Sequence, residues 1–305
     1  MQPSPTRSSG DLLADRRYDY ATFAKAEGDF EAAADLLRQV IEIVPRWAPA
    51  WFTLGEVEAA RGDIAAAVAA FTQALACDPA DALGARLHLV RLGEAQPEAL
   101  AMTPAYVATL FDQFAPRFET ALRQGLSYCG PELLQAAIRQ VAPARRFSLL
   151  LDLGCGTGLA ADIFQGDVAA MDGVDLSPRM VEIARRKGLY RRLTVGDIGA
   201  ALAAEPAAGA DLILAADVFV YCAAIGPILM QVARVLQPAG LVGFTVETHD
   251  GPDVRLGAGL RYAHGEATVR EALDAAGLRL LSLDHAPARH EAGVPAPGLV
   301  VVAEA

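Results

Sequence analysis

The sequence predicts an α/β protein of two parts: an all-α module of helical repeats, then a doubly wound domain around a seven-stranded sheet. Three observations predict it. From Leu149 onward, apolar runs of strand length alternate with helical stretches, the pattern of a parallel sheet covered on both faces. The first of these runs ends in a glycine-rich turn that opens a helix. Ahead of them, residues 14–79 repeat with a period of 34.

The repeat is legible residue by residue. Gly28-Asp29 recurs as Gly62-Asp63, Ala32-Ala33 as Ala66-Ala67, and Pro45 as Pro79. The second copy carries Trp51, Leu54, Gly55, Ala67, Phe71, Ala74 and Pro79, small residues where paired helices touch and a proline to end the second helix. It resembles a tetratricopeptide (TPR) repeat. The first copy is degenerate, with Arg17, Tyr20 and Ala21 where Trp, Leu and Gly would stand, and a helix over Asp81 to Gly93 reads as half a repeat or a cap. The module is placed at 11–96. Its two and a half repeats fall short of the three a free-standing array usually needs. That leaves two roles open, a groove for a protein partner and a packing or dimerisation element.

Residues 97–146 read as a helical linker or cap. Phe111, Phe114, Ala115, Phe118 and Leu122 fall at helical spacing, and Leu126, Tyr128 and Pro131 follow. Strands are expected over Leu149–Leu153, Val168–Val174, Leu193–Val195, Asp211–Ala215, Leu241–Glu247, Leu278–Asp284 and Leu299–Ala303. Helices are expected from Leu159, over Pro178–Arg186 behind an N-capping Ser177, over Pro227–Leu236 and over Glu266–Ala276. The turn Gln237-Pro238-Ala239-Gly240 separates the third of these helices from its strand.

The glycine turn narrows the ligand. A dinucleotide fingerprint needs G-x-G-x-x-G, but position 159 is Leu; what stands is Asp152-x-Gly154-Cys155-Gly156-x-Gly158. A carboxylate at Asp152 would repel a pyrophosphate, yet it could hold an ammonium group through an amide or a water. The turn therefore suits a cationic nucleoside without phosphates. Asp175 lies 19 residues after Gly156 at a strand's carboxyl end, where an acid can accept from two ribose hydroxyls.

These residues resemble motif I and its neighbours in the class I S-adenosylmethionine (SAM) methyltransferases. The resemblance implies a Rossmann-like sheet of order 3-2-1-4-5-7-6 with the last strand antiparallel, over a domain set at 147–305. It implies SAM as cofactor, with S-adenosylhomocysteine (SAH) as product. The backbone of Gly154, Cys155, Gly156 and Gly158 would approach it, and the Cys155 thiol would be incidental. Asp175 would take the ribose, Leu176 and Met180 would line the adenosine, Asp197 would accept from the adenine amino group, and Ile198 would pack on the ring. Asp217 and Tyr221, after the fourth strand, would begin the acceptor site beside the methyl group. The pattern around Phe111 resembles the N-terminal cap of bacterial TPR-containing methyltransferases, which makes Phe114 and Tyr128 the expected contacts of the methionine end.

Methyl transfer to oxygen or nitrogen also needs a proton removed, and His264 is the expected base, with Asp217, Tyr221, Glu247 and His249 as the other groups at strand ends. Arg261 or Arg289 could bind an acceptor carboxylate. No ligand-spaced His/Cys/Asp cluster occurs, so no metal is expected.

Composition excludes several classes. The formal net charge is −11 and the only lysines are Lys25 and Lys187, so a nucleic-acid substrate is not expected. The basic run Arg185-Arg186-Lys187 with Arg191-Arg192 reads as a solvated face. Asp217-Val218-Phe219-Val220 stands where amino-methylating DNA enzymes carry Asn-Pro-Pro-Tyr. No apolar run reaches the ~18 residues of a membrane span, and Met1 to Gly10 has no signal-peptide core. Four scattered cysteines fit a reducing cytoplasm. The expected function is methyl transfer to a small-molecule acceptor, a carboxylate or a hydroxylated ring. The alternatives are a protein or peptide methyltransferase fed by the repeats, and a SAM-binding scaffold without turnover.

Overall fold

The computed structural model describes residues 8–94, 102–257, 259–291 and 293–305. The chain divides into two compact units, Met1–Thr109 and Leu110–Ala305. The boundary expected at 96–97 lies outside the described residues, and the division falls instead within the expected cap.

The first unit is built from two helix pairs, α1 (Leu12–Ala26) with α2 (Phe30–Ile43) and α3 (Ala48–Arg61) with α4 (Ile64–Cys77), followed by a short α5 (Ala85–Arg91). The 34-residue period has a structural cause at each repeated position. Gly28 and Gly62 adopt left-handed φ of 80° and 84° between the helices of each pair. Asp29 and Asp63 then cap the following helix, each accepting from the third backbone N–H beyond it at 3.0 Å. A Cβ on Gly55 would stand 2.7 Å from the Phe71 ring, so α3 and α4 touch there as only glycine allows. The equivalent position of the degenerate copy is Ala21, fully buried. Glu58, 2% exposed, accepts from both Arg38 and Arg61 and ties α2 to α3. The helix expected over Asp81 to Gly93 is shorter, because Gly84 turns left-handed and the buried Asp81 carboxylate caps Ala85.

Helix α6 (Pro104–Phe114) carries the chain into the second unit. The helical stripe expected beyond it is broken at Pro116, which cannot donate to the helix. The chain passes through a 3-10 turn (Ala115–Arg117), α7 (Phe118–Thr120) and a π-turn (Ala121–Gly125) before α8 (Gly130–Val141). Strands β1 (Phe147–Leu153), β2 (Val168–Asp175), β3 (Arg192–Val195), β4 (Ala210–Ala215) and β5 (Leu236–Glu247) are parallel. They alternate with α9 (Leu159–Phe164), α10 (Pro178–Lys187), α11 (Ile198–Ala204) and α12 (Gly226–Val235). A small addition, β6 (Val254–Leu256) and β7 (Tyr262–His264), pairs back onto β5. Then come α13 (Glu266–Ala275), β8 (Arg279–His285), a separate hairpin of β9 (His290–Glu291) and β10 (Val294–Pro295), and β11 (Gly298–Glu304).

The sheet runs β3-β2-β1-β4-β5-β11-β8 with β11 antiparallel to both neighbours. Leaving aside the short hairpins, this is the 3-2-1-4-5-7-6 order. Its two faces bury separate apolar layers, one including Leu153, Ile213, Phe244 and Val301, the other Leu134, Leu150, Phe164 and Val302. The order puts β1 and β4 side by side with their connections leaving on opposite sides, which opens a crevice at their carboxyl ends. One expected turn is absorbed into the sheet: β5 begins at Leu236, opposite Ala210, whereas Leu241 already faces Leu212, so Gln237 to Gly240 form a bulge within the strand.

Candidate active site

The glycine turn after β1 is held open by its own backbone. Gly154, Gly156 and Gly158 have φ of 67°, 53° and 87°. A Cβ on Gly154 would stand 2.5 Å from Val218, so the turn lies directly against the loop after β4. Asp175, at the end of β2, closes the turn from the other side. Its carboxylate accepts from Gly156 N–H at 2.9 Å and from Ser177 N–H at 2.8 Å, and burial raises its pKa.

Asp152 is 1% exposed and accepts from the Tyr190 hydroxyl at 2.6 Å. Desolvation pushes its pKa up to about 7, with the nearby Asp175 charge adding to the rise. The turn thus carries two desolvated acids and, among the described residues, no cation paired with Asp152. That combination fits a positively charged, phosphate-free ligand.

Other expected cofactor residues divide into two groups. Asp197 caps α11, accepting from Ala200 N–H at 3.0 Å, and remains exposed at the end of β3; Ile198 packs behind it, and Leu176 stays half-buried beside Asp175. Met180 is a correction. It is fully buried in the first turn of α10, so its side chain packs in the interior and has no surface to offer an adenosine. Cys155 contributes backbone, its N–H donating to Val174 at 2.9 Å, while burial raises its thiol pKa well above the ordinary value.

The segment before α8 lies over this turn. The ring of Phe118 is 3.7 Å from where a Gly156 Cβ would be, and Glu119 pairs with Lys187 at 2.7 Å. Asp112 accepts from the Ser177 hydroxyl and from Arg179, pinning the end of α6 to the start of α10. Glu119 and Tyr190 were not expected from the sequence, and Asp112 and Phe118 only as members of the cap pattern. Phe114 is exposed, with Arg117 over its ring at 5.2 Å, and its only described ring contact lies on its own segment.

Tyr128 is placed differently. Its neighbours Leu126 and Cys129 exchange backbone hydrogen bonds with His290 and Ala288 at 2.7 and 2.9 Å, so the loop after β8 fixes its position. The phenol sits within the field of Asp152, Asp217 and Arg261 together, and burial holds its pKa well above the ordinary value.

At the ends of β4 and β5 four charges close a ring. Arg261 donates to Asp217 at 2.6 Å and pairs with Glu247 at 2.9 Å. Arg289, 2% exposed, stands 3.4 Å from Asp217 and 2.5 Å from Glu247. Asp217 adopts a left-handed φ of 59°, a sparsely populated conformation that Asp tolerates, and its N–H is anchored on Thr245 at 2.8 Å. Tyr221 lies under Arg261, ring centre 5.1 Å from the guanidinium, with Phe111 edge-on at 5.3 Å. Burial raises the Tyr221 pKa beyond the ordinary tyrosine range.

His264 is the second correction. It is fully buried on β7, its Nε2 3.1 Å from the Phe219 carbonyl, and burial lowers its pKa. A ring with no exposed surface and a backbone partner is a core histidine and cannot reach an acceptor. The arginines of the basic run are exposed as expected and also ion-paired: Arg191 and Arg192 both bond the buried Asp172, while the less exposed Lys187 joins Glu119 and Asp162. Among the described residues no three His, Cys, Asp or Glu converge as metal ligands.

Comparison with known proteins agrees with this geometry. Residues 150–240 match the family described as "Methyltransferase domain", and residues 24–89 match "Tetratricopeptide repeat". The chain is thus similar to class I SAM-dependent methyltransferases over its second unit and to TPR proteins over its first. It is 31% identical over 174 residues to human methyltransferase-like protein 27, covering 55% of this chain and 66% of the relative. It is 30% identical over 150 residues to malonyl-[acyl-carrier protein] O-methyltransferase of Enterobacter lignolyticus, covering 49% of this chain and 57% of the relative. The matches thus span less than two thirds of either relative. The fold is also that of 1,6-didemethyltoxoflavin-N1-methyltransferase of Burkholderia thailandensis, solved with SAH (TM-score 0.52, 21% identity, 69% of this chain and 92% of that one).

Proposed function

We propose that this protein is a SAM-dependent methyltransferase acting on a small-molecule acceptor at the ends of β4 and β5. The observation that carries the reading is the turn itself. Asp152 and Asp175 flank three left-handed glycines, and Asp152 is desolvated with no paired cation among the described residues. In this reading the backbone from Gly154 to Gly158 and the Asp175 carboxylate hold the nucleoside, while Asp152 faces its cationic amino-acid end. Asp197 and Ile198 line the base. SAM supplies a methyl group on a cationic sulfur, activated before it arrives. The protein's task is therefore to align the acceptor and exclude water, and positioning is worth up to roughly 7–11 kcal/mol in favourable cases. In this reading Tyr128, whose phenol is influenced by the charges of both Asp152 and Asp217, is assigned to the junction of the two half-sites.

Likeness to relatives leaves the acceptor open, since one is named for a malonyl-carrier substrate and another for demethylmenaquinone. A protein acceptor is the second reading, favoured by the repeats matched at 24–89. Methyl-labelled SAM incubated with the full chain in a desalted extract with metabolites restored separates the two. Label confined to small molecules supports the first, and label in polypeptides supports the second. The Asp175→Ala variant should transfer markedly less at limiting SAM, and no SAM or SAH binding by the unaltered chain in calorimetry would overturn both.

A further inference from the structure

Resting on the reading above, we infer that the acceptor is a carboxylate, seated by Arg261 with the Tyr128 and Tyr221 phenols and methylated on oxygen to an ester. The inference comes from which groups at the ends of β4, β5 and β7 still have chemistry to offer.

Each expected proton acceptor there is already paired or sealed from the surface. Asp217 and Glu247 are bridged by two arginines. His264 is fully buried, with Nε2 on the Phe219 carbonyl and an Nδ1 that has no hydrogen-bond partner among the described residues and no surface from which to meet an acceptor. His249 is bonded at both nitrogens, Nδ1 accepting from Gly251 N–H at 2.9 Å and Nε2 lying 3.0 Å from the Asp253 carbonyl. A neutral hydroxyl or ammonium acceptor would find none of these ready to take its proton.

What remains is donor capacity. Arg261 carries five N–H groups. Its Nη2 is used on Asp217 and its Nε faces Glu247, while Nη1 has no acceptor among the described residues. The Tyr128 and Tyr221 hydroxyls likewise have no hydrogen-bond partner among the described residues, and burial keeps both phenols protonated, hence able to donate. A guanidinium with Nη1 unused, lying over the Tyr221 ring, is complementary to a carboxylate, and the two phenols are the nearby groups able to add a donor. The four-charge ring is formally neutral, so it orients Arg261 without supplying an anion of its own where the acceptor sits.

The step then needs no base. A carboxylate oxygen bonds to the methyl carbon as the carbon–sulfur bond breaks. The bonding pair stays on sulfur, the sulfonium becomes a thioether, and no proton moves. One negative and one positive charge disappear together, leaving a neutral ester that the donors hold less tightly than the acid.

The test reads binding as well as turnover. With SAH saturating, straight-chain monocarboxylates of graded length and benzoate would each be titrated by calorimetry against the matching primary amide. The expected result is at least one acid binding tenfold or more tightly than its amide, with that preference lost in Arg261→Gln. Equal binding of acids and amides, or binding of neither, overturns the inference. Tyr221→Phe keeps the ring under Arg261 and removes one donor, so it should lower the preference several-fold even if Arg261→Gln fails to fold. In the labelled extract the product should release volatile label as methanol under mild alkali. Alkali-stable label would overturn the carboxylate while leaving the methyltransferase reading intact. Failure of the unaltered chain to bind SAH is the separate result that would sink that reading itself.

Discussion

Replacing Asp152 by Asn removes one ionisable group and leaves an oxygen to accept from Tyr190, so it isolates the charge. The Asp152 pKa is raised from 3.8 to about 7 by burial. Between those values the folded state holds a proton that the unfolded state has released. Stability therefore falls as pH rises through the window from about 4 to about 7, and the penalty is complete above it. At ~1.4 kcal/mol per pK unit the full penalty is about 4 kcal/mol, with no discount for solvent screening because the side chain is 1% exposed. The ligand-free Asp152→Asn protein should match the parent near pH 4 and gain stability progressively, reaching up to about 4 kcal/mol above pH 7. Urea unfolding of both proteins at pH 4, 6 and 8 measures this. The same variant should bind SAM at least tenfold more weakly, since a charge-assisted contact is worth ~1.5–3 kcal/mol. Parallel pH profiles for the two proteins would refute the desolvation argument, and undiminished SAM affinity would refute the role of the charge.

Other perturbations test separate parts of the account. Asp175→Ala removes the acceptor for Gly156 and Ser177 as well as the ribose partner, and should weaken SAM binding by ~10-fold or more in calorimetry; unchanged affinity would misplace the nucleoside. Gly55→Ala drives a methyl group against the Phe71 ring and should destabilise the repeat unit by ~1–3 kcal/mol in thermal unfolding, while SAM affinity stays within two-fold. Arg289→Leu strips Asp217 and Glu247 of a buried partner and should cost ~3–5 kcal/mol; a neutral result would mean the ring is solvated. His264→Gln should lower stability by ~1–3 kcal/mol without moving the pH profile of turnover, and loss of the acid limb would restore His264 as a base.

The fold was legible because its signals are local. Strand-length runs alternating with helices gave the parallel sheet, whose order followed from the family resemblance, and Gly28-Asp29 with Gly62-Asp63 gave the repeat, since each pair serves a turn and a cap within its own neighbourhood. The glycine turn was legible for the same reason. In the acceptor half the residues at 217, 247, 261 and 289 were each legible as candidates, but their closure into one ion-paired ring was not, because they meet only through the sheet. His264 misled because it reads as a loop residue. Pairing of the short β7 with β6 and β5 turns Tyr262 and His264 to one buried face. Met180 misled because a helix's first turn can face either the ligand or the core, and only packing decides. The break at Pro116 was visible in the sequence, but where Phe118 then rests depends on Gly156, far along the chain.

The two half-sites handle charge in opposite ways, and this links stability to function. Around the glycine turn, burial chiefly raises Asp152 and Asp175, with neighbouring acids adding to it, and among the described residues no cation is paired with Asp152. The ligand-free domain is therefore under electrostatic stress there, which a cationic nucleoside relieves by acting as the missing counter-charge. Binding should pull the Asp152 pKa down and release its proton. Affinity should then fall about tenfold per pH unit below pH 7, and a saturating ligand should stabilise the fold by mass action. At the acceptor end the charges are already balanced within the ring, so pH should act there through the acceptor's own ionisation. A carboxylic acid is fully ionised well below pH 7. Turnover at saturating SAM should accordingly be flat where SAM affinity is still climbing. A turnover profile that climbs through the same window with SAM saturating would place a titrating base at the acceptor and break the division of labour between the two half-sites.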